Sequence, residues 1–451
     1  MKAIRYIWLL IGLLTISPNV AAQQHSCFLT MDELFRLGME NSMRIKNAAV
    51  QERIAEEQLK TARTQQLPDI SIGLEGSSIG QPVIFRRGLS QPERPETPDW
   101  SQRYNVDVSQ PLYTGGRIRN GIQRAEINRR IASIASTDEK QSVKLLLLQS
   151  YLNLFSLYKQ KEVLARNIEE ANIRLKDIRR MREQGLLTRN DELRSELQLT
   201  NDRLDSCETE HQIVLDSQSL DILLGLDESL VLVPDTSLLE KALHTEALDH
   251  YIQTAYEHNP GMQLAKENAL LAKNNVKLVK ADMYPTLSLR AGNTLARPLS
   301  STMEDYYNNT WSIGLSLSYN LSSLYKNRHN LREANYGVQQ QLYTEELQRQ
   351  AIRNDVRAAY THHQEALERI RALGLSVRQA DENYRIMHNR YLNQLSILTD
   401  LLDASNVRLE AELQLTDAKV QAVYTYYELQ RICGKQVECL VFGTRTFLSI
   451  R

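Results

Sequence analysis

The sequence predicts a mainly α-helical chain with membrane β-strands, built from two tandem copies of one unit. The 451 residues include only 18 Gly and 11 Pro, with 6% aromatic residues and a mean hydropathy of −0.42. That composition favours long helices with much wetted surface over a thick globular core. Four short segments alternate apolar and polar residues, as strands wetted on one face do. Landmarks of the first half recur, in order, in the second half.

The N-terminus has the pattern of a secretory signal peptide. Lys2 and Arg5 form a positive region, residues 7–16 are apolar, and Val20–Ala22 supplies small residues for cleavage. We therefore predict a signal peptide over residues 1–22. The rest of the sequence contains no run close to the ~20 apolar residues of a spanning helix. If the exported chain meets a membrane, we expect it to do so with strands.

Charge and cysteine content narrow the partners and the chemistry. The formal net charge is −1 and no basic stripe is present, which argues against nucleic acid as a partner. Four cysteines, Cys27, Cys207, Cys433 and Cys439, would reach an oxidising compartment. Both Cys433–Cys439 and Cys27–Cys439 are possible pairings, and the spacing does not fit a CxxC metal or redox motif.

The internal duplication keeps its register over long distances. Pro68 lies over Pro285 with a shift of 217 residues, and Asp191 lies over Asp400 with a shift of 209. The difference falls between the two strands of each copy, where the first copy has the longer loop, residues 81–99. We place the first repeat at residues 23–234 and the second at 235–451.

Each copy is predicted to contain a short helix, a longer helix, two strands and a long helical hairpin. Proline ends the second helix in each copy because the residue before proline disfavours the helical region. The predicted short and longer helices span about 30–41 and 43–66, then 245–259 and 261–283. The predicted strands span 69–80, 103–112, 286–297 and 310–320. The predicted hairpins span 116–224 and 322–433, and a C-terminal equatorial segment follows the second.

The strand segments are long enough to cross a bilayer when tilted. In the first, Ile70, Ile72 and Leu74 alternate with polar or small residues, and each strand has room for the ~9–11 residues required. Aromatic residues gather at the strand ends, as in membrane-interface belts; they are Trp100, Tyr104, Tyr113, Trp311 and Tyr319. The alternative is an ordinary β-sandwich whose aromatic residues are core.

Each helical hairpin is interrupted at one tip. Gly185 suits a helix C-cap in the first hairpin, and the second is predicted to turn at Asn393–Gln394. We expect Ser396 or Thr399 to start the last helix, because hydroxyl side chains cap helix N-termini.

Asp400 and Asp403 then lie on one face of the first turns of the last helix. Acids at that position either complement the helix dipole or face the narrow bore of an oligomer.

Four spanning strands cannot seal themselves in lipid. Two strand edges keep unpaired backbone groups, and lipid offers no hydrogen bonds. Two copies would make a narrow barrel of ~8 strands, and three would make one of ~12 with an open interior. We therefore predict an oligomer.

Several segments carry a family likeness over essentially the whole mature chain. They are the tandem copies, the strand-to-helix connection at residues 110–117, the end of the first copy at Leu223–Leu226, and Tyr391 followed by residues 400–404. The sequence resembles the TolC-like outer membrane efflux proteins. The resemblance implies a homotrimer with a 12-stranded barrel in the outer membrane of a Gram-negative bacterium and a helical barrel in the periplasm.

The resemblance also implies roles at the tips. Asp400 and Asp403 match acids that narrow the lumen, where three copies would form a carboxylate ring favouring cations. Tyr391 matches a tyrosine that helps tie the closed tip. Gln394 stands where the family usually has a tip glycine, and Ser396 where some relatives have an arginine of the closing network.

The function implied is a passive exit channel that opens when a periplasmic adaptor and an inner-membrane RND or ABC-type pump dock on the tips. The sequence has no catalytic or nucleotide-binding motif, and adjacent His362 and His363 point to different sides of a helix. We expect no enzyme activity, cofactor or metal. Two alternatives stay open: the outer component of type I protein secretion, and a pore-free periplasmic coiled-coil scaffold.

Overall fold

The structure, a computed structural model, describes residues 26–81, 83–95, 98–235, 245–297 and 305–435. The predicted signal peptide, Cys439 and the end of the predicted C-terminal segment lie outside the described residues. Among those that are described, Cys27, Cys207 and Cys433 are free thiols. No helix in these ranges has an apolar stretch long enough to cross a bilayer.

Both halves of the chain share the order short helix, longer helix, two long strands and two long helices, and the first half has four additional short strands in the described ranges. The first half contains β1 (Ser26–Leu29), α1 (Met31–Asn41), α2 (Met43–Thr64), β2 (Asp69–Ser78), β3 (Ile84–Arg87), β4 (Ser90–Glu93), β5 (Trp100–Tyr113), α3 (Arg117–Glu183), α4 (Arg189–Leu224) and β6 (Val231–Pro234). The second half contains α5 (Leu248–His258), α6 (Pro260–Ala281), β7 (Thr286–Arg297), β8 (Asn308–Ser318), α7 (Ser323–Leu392) and α8 (Leu398–Ile432). The predicted class, mainly helical with strands, is confirmed.

The number of strands is larger than predicted. Eight strands are present in the described ranges, whereas the sequence predicts four membrane strands and a short strand or extended piece at residues 231–233, where β6 lies. The loop predicted for residues 81–99 contains the β3–β4 hairpin, and β1 pairs in parallel with β6. Strands β1, β3 and β4, which the sequence did not predict, have four residues each, and that is too short for an alternating pattern to show in sequence.

The four longer strands form one antiparallel sheet in the order β2-β5-β7-β8. Their ends differ from the predicted strands by at most three residues. Ile72 pairs with Val106, and Ala291 with Ile313, so the apolar residues of all four strands share one face. Within the described chain, β2 and β8 each have one strand neighbour, which leaves both outer edges of the sheet open.

The described residues divide into two compact units. The first contains residues up to 45, residues 140–251 and residues from 355 onward, and the second contains residues 46–139 and 252–354. The first unit therefore includes both helical tips, and the second includes the four-stranded sheet.

The main core of the first unit gathers the short elements onto α3 and α4. Leu34, Leu148 and Tyr151 are fully buried in it. The Tyr151 hydroxyl donates to the Leu29 carbonyl at 3.0 Å and accepts from the Asp235 backbone N–H at 2.8 Å. Those bonds tie the ends of the β1–β6 pair to a helix, because a buried phenol needs a polar partner.

In the second unit, glycine allows the sharp change from strand to helix. Gly115 and Gly116 have φ values of 62° and 86°, where residues with a Cβ are strained. A Cβ on Gly115 would also lie 2.6 Å from the Ala281 carbonyl oxygen. The turn therefore brings α3 against the end of α6, and Arg130 pairs with Glu267 further along at 2.9 Å.

Asp221 is a buried carboxylate in α4. It is fully buried, and neither carboxylate oxygen has a hydrogen-bond partner in the described chain. Burial raises the pKa of Asp221 to about 6, and the charges of Asp227 and Glu228 add to the effect. The ionised side chain is therefore destabilising in the folded protein.

We expect Asp221→Asn to raise stability at pH 7.5 and to have little effect near pH 4. The folded pKa of Asp221 lies above its unfolded value of ~3.9, so the folded state binds the extra proton between these values. The contribution of Asp221 to stability is thus least unfavourable below pH ~4, and it falls by about 3 kcal/mol as pH rises through 6. Thermal unfolding followed by circular dichroism across this range tests the effect. The exposed Asp205→Asn is the control, and an equal response from both variants would contradict the assignment.

Candidate functional site

The two helical tips turn in the same way. In the first, the N–H of Gly185 donates to Arg182 at 2.9 Å and that of Leu186 to Met181 at 2.9 Å. These are the bonds of a Schellman-type cap, which needs a left-handed residue. Gly185 has φ 74°.

The second tip uses a non-glycine residue at the same place. Gln394 has φ 59°, and its N–H donates to the Tyr391 carbonyl at 3.0 Å. The N–H of Leu395 donates to the Arg390 carbonyl at 2.8 Å. The turn forms without glycine, at the strain of a left-handed side-chain residue, ~1–2 kcal/mol.

The helices that follow the tips begin differently. Thr188 caps α4 in a reciprocal capping box: its hydroxyl accepts from the Asp191 N–H at 3.2 Å, and the Asp191 carboxylate accepts from the Thr188 N–H at 3.0 Å. The N-cap of α8 is Ile397, which makes no side-chain cap hydrogen bond. The prediction that Ser396 or Thr399 starts this helix is wrong, because the residue in the extended N-cap geometry has no hydroxyl.

Because α8 has no side-chain cap, the acid at the start of this helix is not used in a capping box. Asp400 occupies the position that Asp191 has in the first copy, but it has no threonine to cap. Both Asp400 and Asp403 are exposed. Neither makes a hydrogen bond or an ion pair in the part of the chain that the structure describes. The two carboxylates therefore lie on one helix face, and neither is paired with another group of the described chain.

An apolar cluster packs the start of α8 against α3 and α7. Ile178, Tyr391, Leu398 and Leu401 are buried together, with Tyr384 packed against them. Burial raises the pKa of Tyr391 to about 12, with a further contribution from the charge of Asp191. The Tyr391 hydroxyl has no hydrogen-bond partner among the described residues, so the closing contact implied for it is not made within this chain.

The first tip is held by charge instead. Glu192, which is 4% exposed, pairs with Arg179, Arg182 and Arg189. The hydrogen bond from Arg189, followed by the one from Arg179, lowers the pKa of Glu192. Arg179 also reaches Glu196 at 2.6 Å. The sequence analysis did not predict this cluster. A local signal for it is the spacing of Arg189 and Glu192, three residues apart at the start of α4.

A buried polar network lies further along the same helices. Asn167 donates to Asp202 at 3.1 Å, Gln198 donates to Asp202 at 2.9 Å, and Arg174 donates to the Ser405 hydroxyl at 3.3 Å. Burial raises the pKa of Asp202. The network joins α3, α4 and α8, and no sequence pattern predicted it, since its members come from distant parts of the chain.

The other candidate residues lie apart from the tips. Trp100, Tyr104, Tyr113, Trp311 and Tyr319 are exposed, in or beside the strands of the sheet. His363 is buried on α7 with Nδ1 3.1 Å from the Thr425 hydroxyl, and burial lowers its pKa. The described residues contain no group of three potential metal ligands.

A family model decides the affiliation of the chain. The model of the outer membrane efflux protein family matches residues 36–226 and again residues 251–435. The chain belongs to the outer membrane efflux protein family. The two matched ranges lie within the two predicted repeats.

Individual relatives agree with this family. The chain is 21% identical to outer membrane protein TolC of Vibrio cholerae serotype O1 over 462 aligned positions, which cover 100% of this chain and 99% of that protein. Among solved structures, CusC has a TM-score of 0.77 at 16% identity, covering 93% of this chain and 96% of CusC. The open-state MtrE outer membrane channel of Neisseria gonorrhoeae has a TM-score of 0.73 at 18% identity, covering 90% and 89%. These matches show the TolC-like fold, and CusC and MtrE both form membrane channels.

We expect Ile397→Thr to stabilise the second tip by about 1 kcal/mol, because Asp400 already stands where a capping box needs an acid. Ile397 is 65% exposed, so little buried apolar contact is lost. Amide hydrogen exchange over residues 398–402 should slow several-fold. Thr188→Ile is the matched variant and should speed exchange at the start of α4. Unchanged exchange in both would show that capping does not govern the tips.

Proposed function

We propose that this efflux-family protein is the passive outer membrane exit channel of a tripartite efflux system and assembles as a homotrimer. The observation that carries the proposal is the β2-β5-β7-β8 sheet, which has one apolar face and, among the described residues, two open edges. Ile72 and Leu315 on that face are 74% and 68% exposed. Such a surface is stable against lipid, whereas an unpaired edge in lipid is not.

Three copies satisfy both requirements at once. Edge strand β2 of one copy would pair with β8 of the next, so that three sheets close into a barrel of ~12 strands with an open interior. A cyclic trimer also repeats the same interface at every edge. Trp100 and Trp311, both exposed near the outer ends of their strands, suit the aromatic belt of a membrane interface.

The helical tips supply the gate in this proposal. Three copies of Asp400 and Asp403 would bring six carboxylates around a narrow opening, which favours cations. Tyr391 and its apolar cluster would hold the last helix in position beneath the ring. Because the acids are not used in capping, their charge is available to the lumen.

Docking partners are expected at the periplasmic tips. Leu186, Leu395 and Ile397 are more than half exposed there, and exposed apolar residues at a loop tip suit a protein contact. We propose a periplasmic adaptor that joins the tips to an RND or ABC-type pump in the inner membrane. Energy would come from the pump, since the chain has no nucleotide-binding motif.

Planar-bilayer recording of the purified protein tests the proposal. Asp400→Ala combined with Asp403→Ala should raise basal conductance at least about two-fold and weaken cation selectivity, because the carboxylate ring is removed. Asp381→Ala, an exposed acid on α7, is the control and should leave both unchanged.

One result would contradict the proposed channel, and another would contradict only the proposed gate. A water-soluble elongated particle that forms no channels would favour the pore-free scaffold. Channels that do not respond to loss of Asp400 and Asp403 would remove these residues from the gate while leaving the channel itself in place.

A further inference from the structure

The second face of the four-stranded sheet is polar and is ordered into rows by the strand register. Each row takes one residue from β2, β5, β7 and β8, at paired positions. From the end nearest the long helices, the rows are Asp69, Ser109, Arg290 and Gly314; Ser71, Asp107, Gly292 and Ser312; Gly73, Asn105, Thr294 and Thr310; and Glu75, Arg103, Ala296 and Asn308.

Charge is balanced in every one of these four rows except the second. The first row contains Asp69 and Arg290, which have opposite signs. The fourth contains Glu75 and Arg103, which form an ion pair at 4.0 Å. The third row is neutral. Asp107 is the charged residue of the second row, where its neighbours are serine and glycine, so that row has a net charge of −1 in each copy.

Glycines accommodate the polar side chains of the two middle rows. The Asn105 amide donates to the Asp107 carboxylate at 2.5 Å, because residues two apart on a strand share a face. Asp107 lies over Gly292, where an added Cβ would be 2.9 Å from its Oδ1, and Asn105 lies over Gly73 in the same way. Gly314, on the same face, has nothing within 4 Å of an added Cβ. Both side chains therefore lie flat along the sheet.

We propose that Asp107 sets the charge preference of the β-barrel and that Gly73 and Gly292 keep the bore open by seating Asn105 and Asp107 against its wall. This inference rests on the proposed trimeric channel, in which the polar face lines the lumen. Three Asp107 carboxylates then form a ring of net charge within an otherwise balanced lining. A ring of one sign concentrates counter-ions in a channel with low-dielectric walls.

The decisive experiment isolates the barrel from the tips. Channels carrying Asp400→Ala and Asp403→Ala are recorded in planar bilayers with and without Asp107→Asn. The substitution is close to isosteric, and Asp107 is exposed in the single chain, so folding should be kept. We expect the reversal potential in a tenfold KCl gradient to move towards zero. Conductance should fall at least about two-fold at 0.01 M salt and little at 1 M, where charges are screened within ~3 Å.

The control removes a balanced charge pair from the same lining. Glu75→Gln combined with Arg103→Gln should leave the reversal potential unchanged. An unchanged reversal potential in the Asp107→Asn channel overturns the role of Asp107 while the channel itself stands. Absence of any channel in the parent protein overturns the proposed function and this inference with it.

A matched pair of glycine variants tests whether glycine allows the polar side chains to lie against the wall of the bore. Gly292→Ala should lower conductance at 1 M KCl, because the added methyl pushes Asp107 from the wall when charge effects are screened. Gly314→Ala should not, since its methyl meets open space. Equal conductance in the two variants would show that the glycines do not control the width of the bore.

Discussion

The hydrogen-bonding needs of the backbone at the edges of one sheet govern the rest of this structure. Strands β2 and β8 each have one neighbour in the described chain, and a lipid environment cannot satisfy the groups left over. The apolar face, with Ile72 and Leu315 largely exposed, would be costly in water. In the proposed trimer, closure with sister copies would meet both needs and would turn the remaining polar face into a lining. Pore formation and assembly would then both follow from one constraint.

Duplication supplied two similar hairpins, and divergence gave them different chemistry at equivalent positions. Under the 209-residue register, Arg182 and Glu192 of the first tip become Tyr391 and Leu401 of the second. The first tip is held by ion pairs around a buried glutamate, and the second by an apolar cluster. An apolar support leaves the nearby acids unpaired, which suits a charged opening. A support made of arginines would neutralise them.

The balance between apolar and polar burial also differs along the first unit. Near the β1–β6 pair, large apolar residues such as Leu148 and Tyr151 pack fully. Nearer the tips, Asn167, Asp202 and Ser405 are buried and joined by hydrogen bonds. Satisfied polar networks specify one arrangement of helices, whereas the net free energy each bond adds is small, ~1 kcal/mol. The core near β1 and β6 therefore supplies stability, and the polar network supplies specificity of packing.

The sequence by itself determined the fold class, the repeat and the positions of the tips, because periodicity, proline and helix-forming composition act locally. It did not reveal β1, the pairing of β1 with β6, or the β3–β4 hairpin, since four residues are too few for a period to appear. It misplaced the start of α8, where Ile397 takes the cap position through the geometry of the turn. The arginines around Glu192 and the unbalanced charge of Asp107 emerged only from the tertiary structure. Both depend on which side chains from separate strands or helices come to lie side by side, and that register is set by packing rather than by local preference.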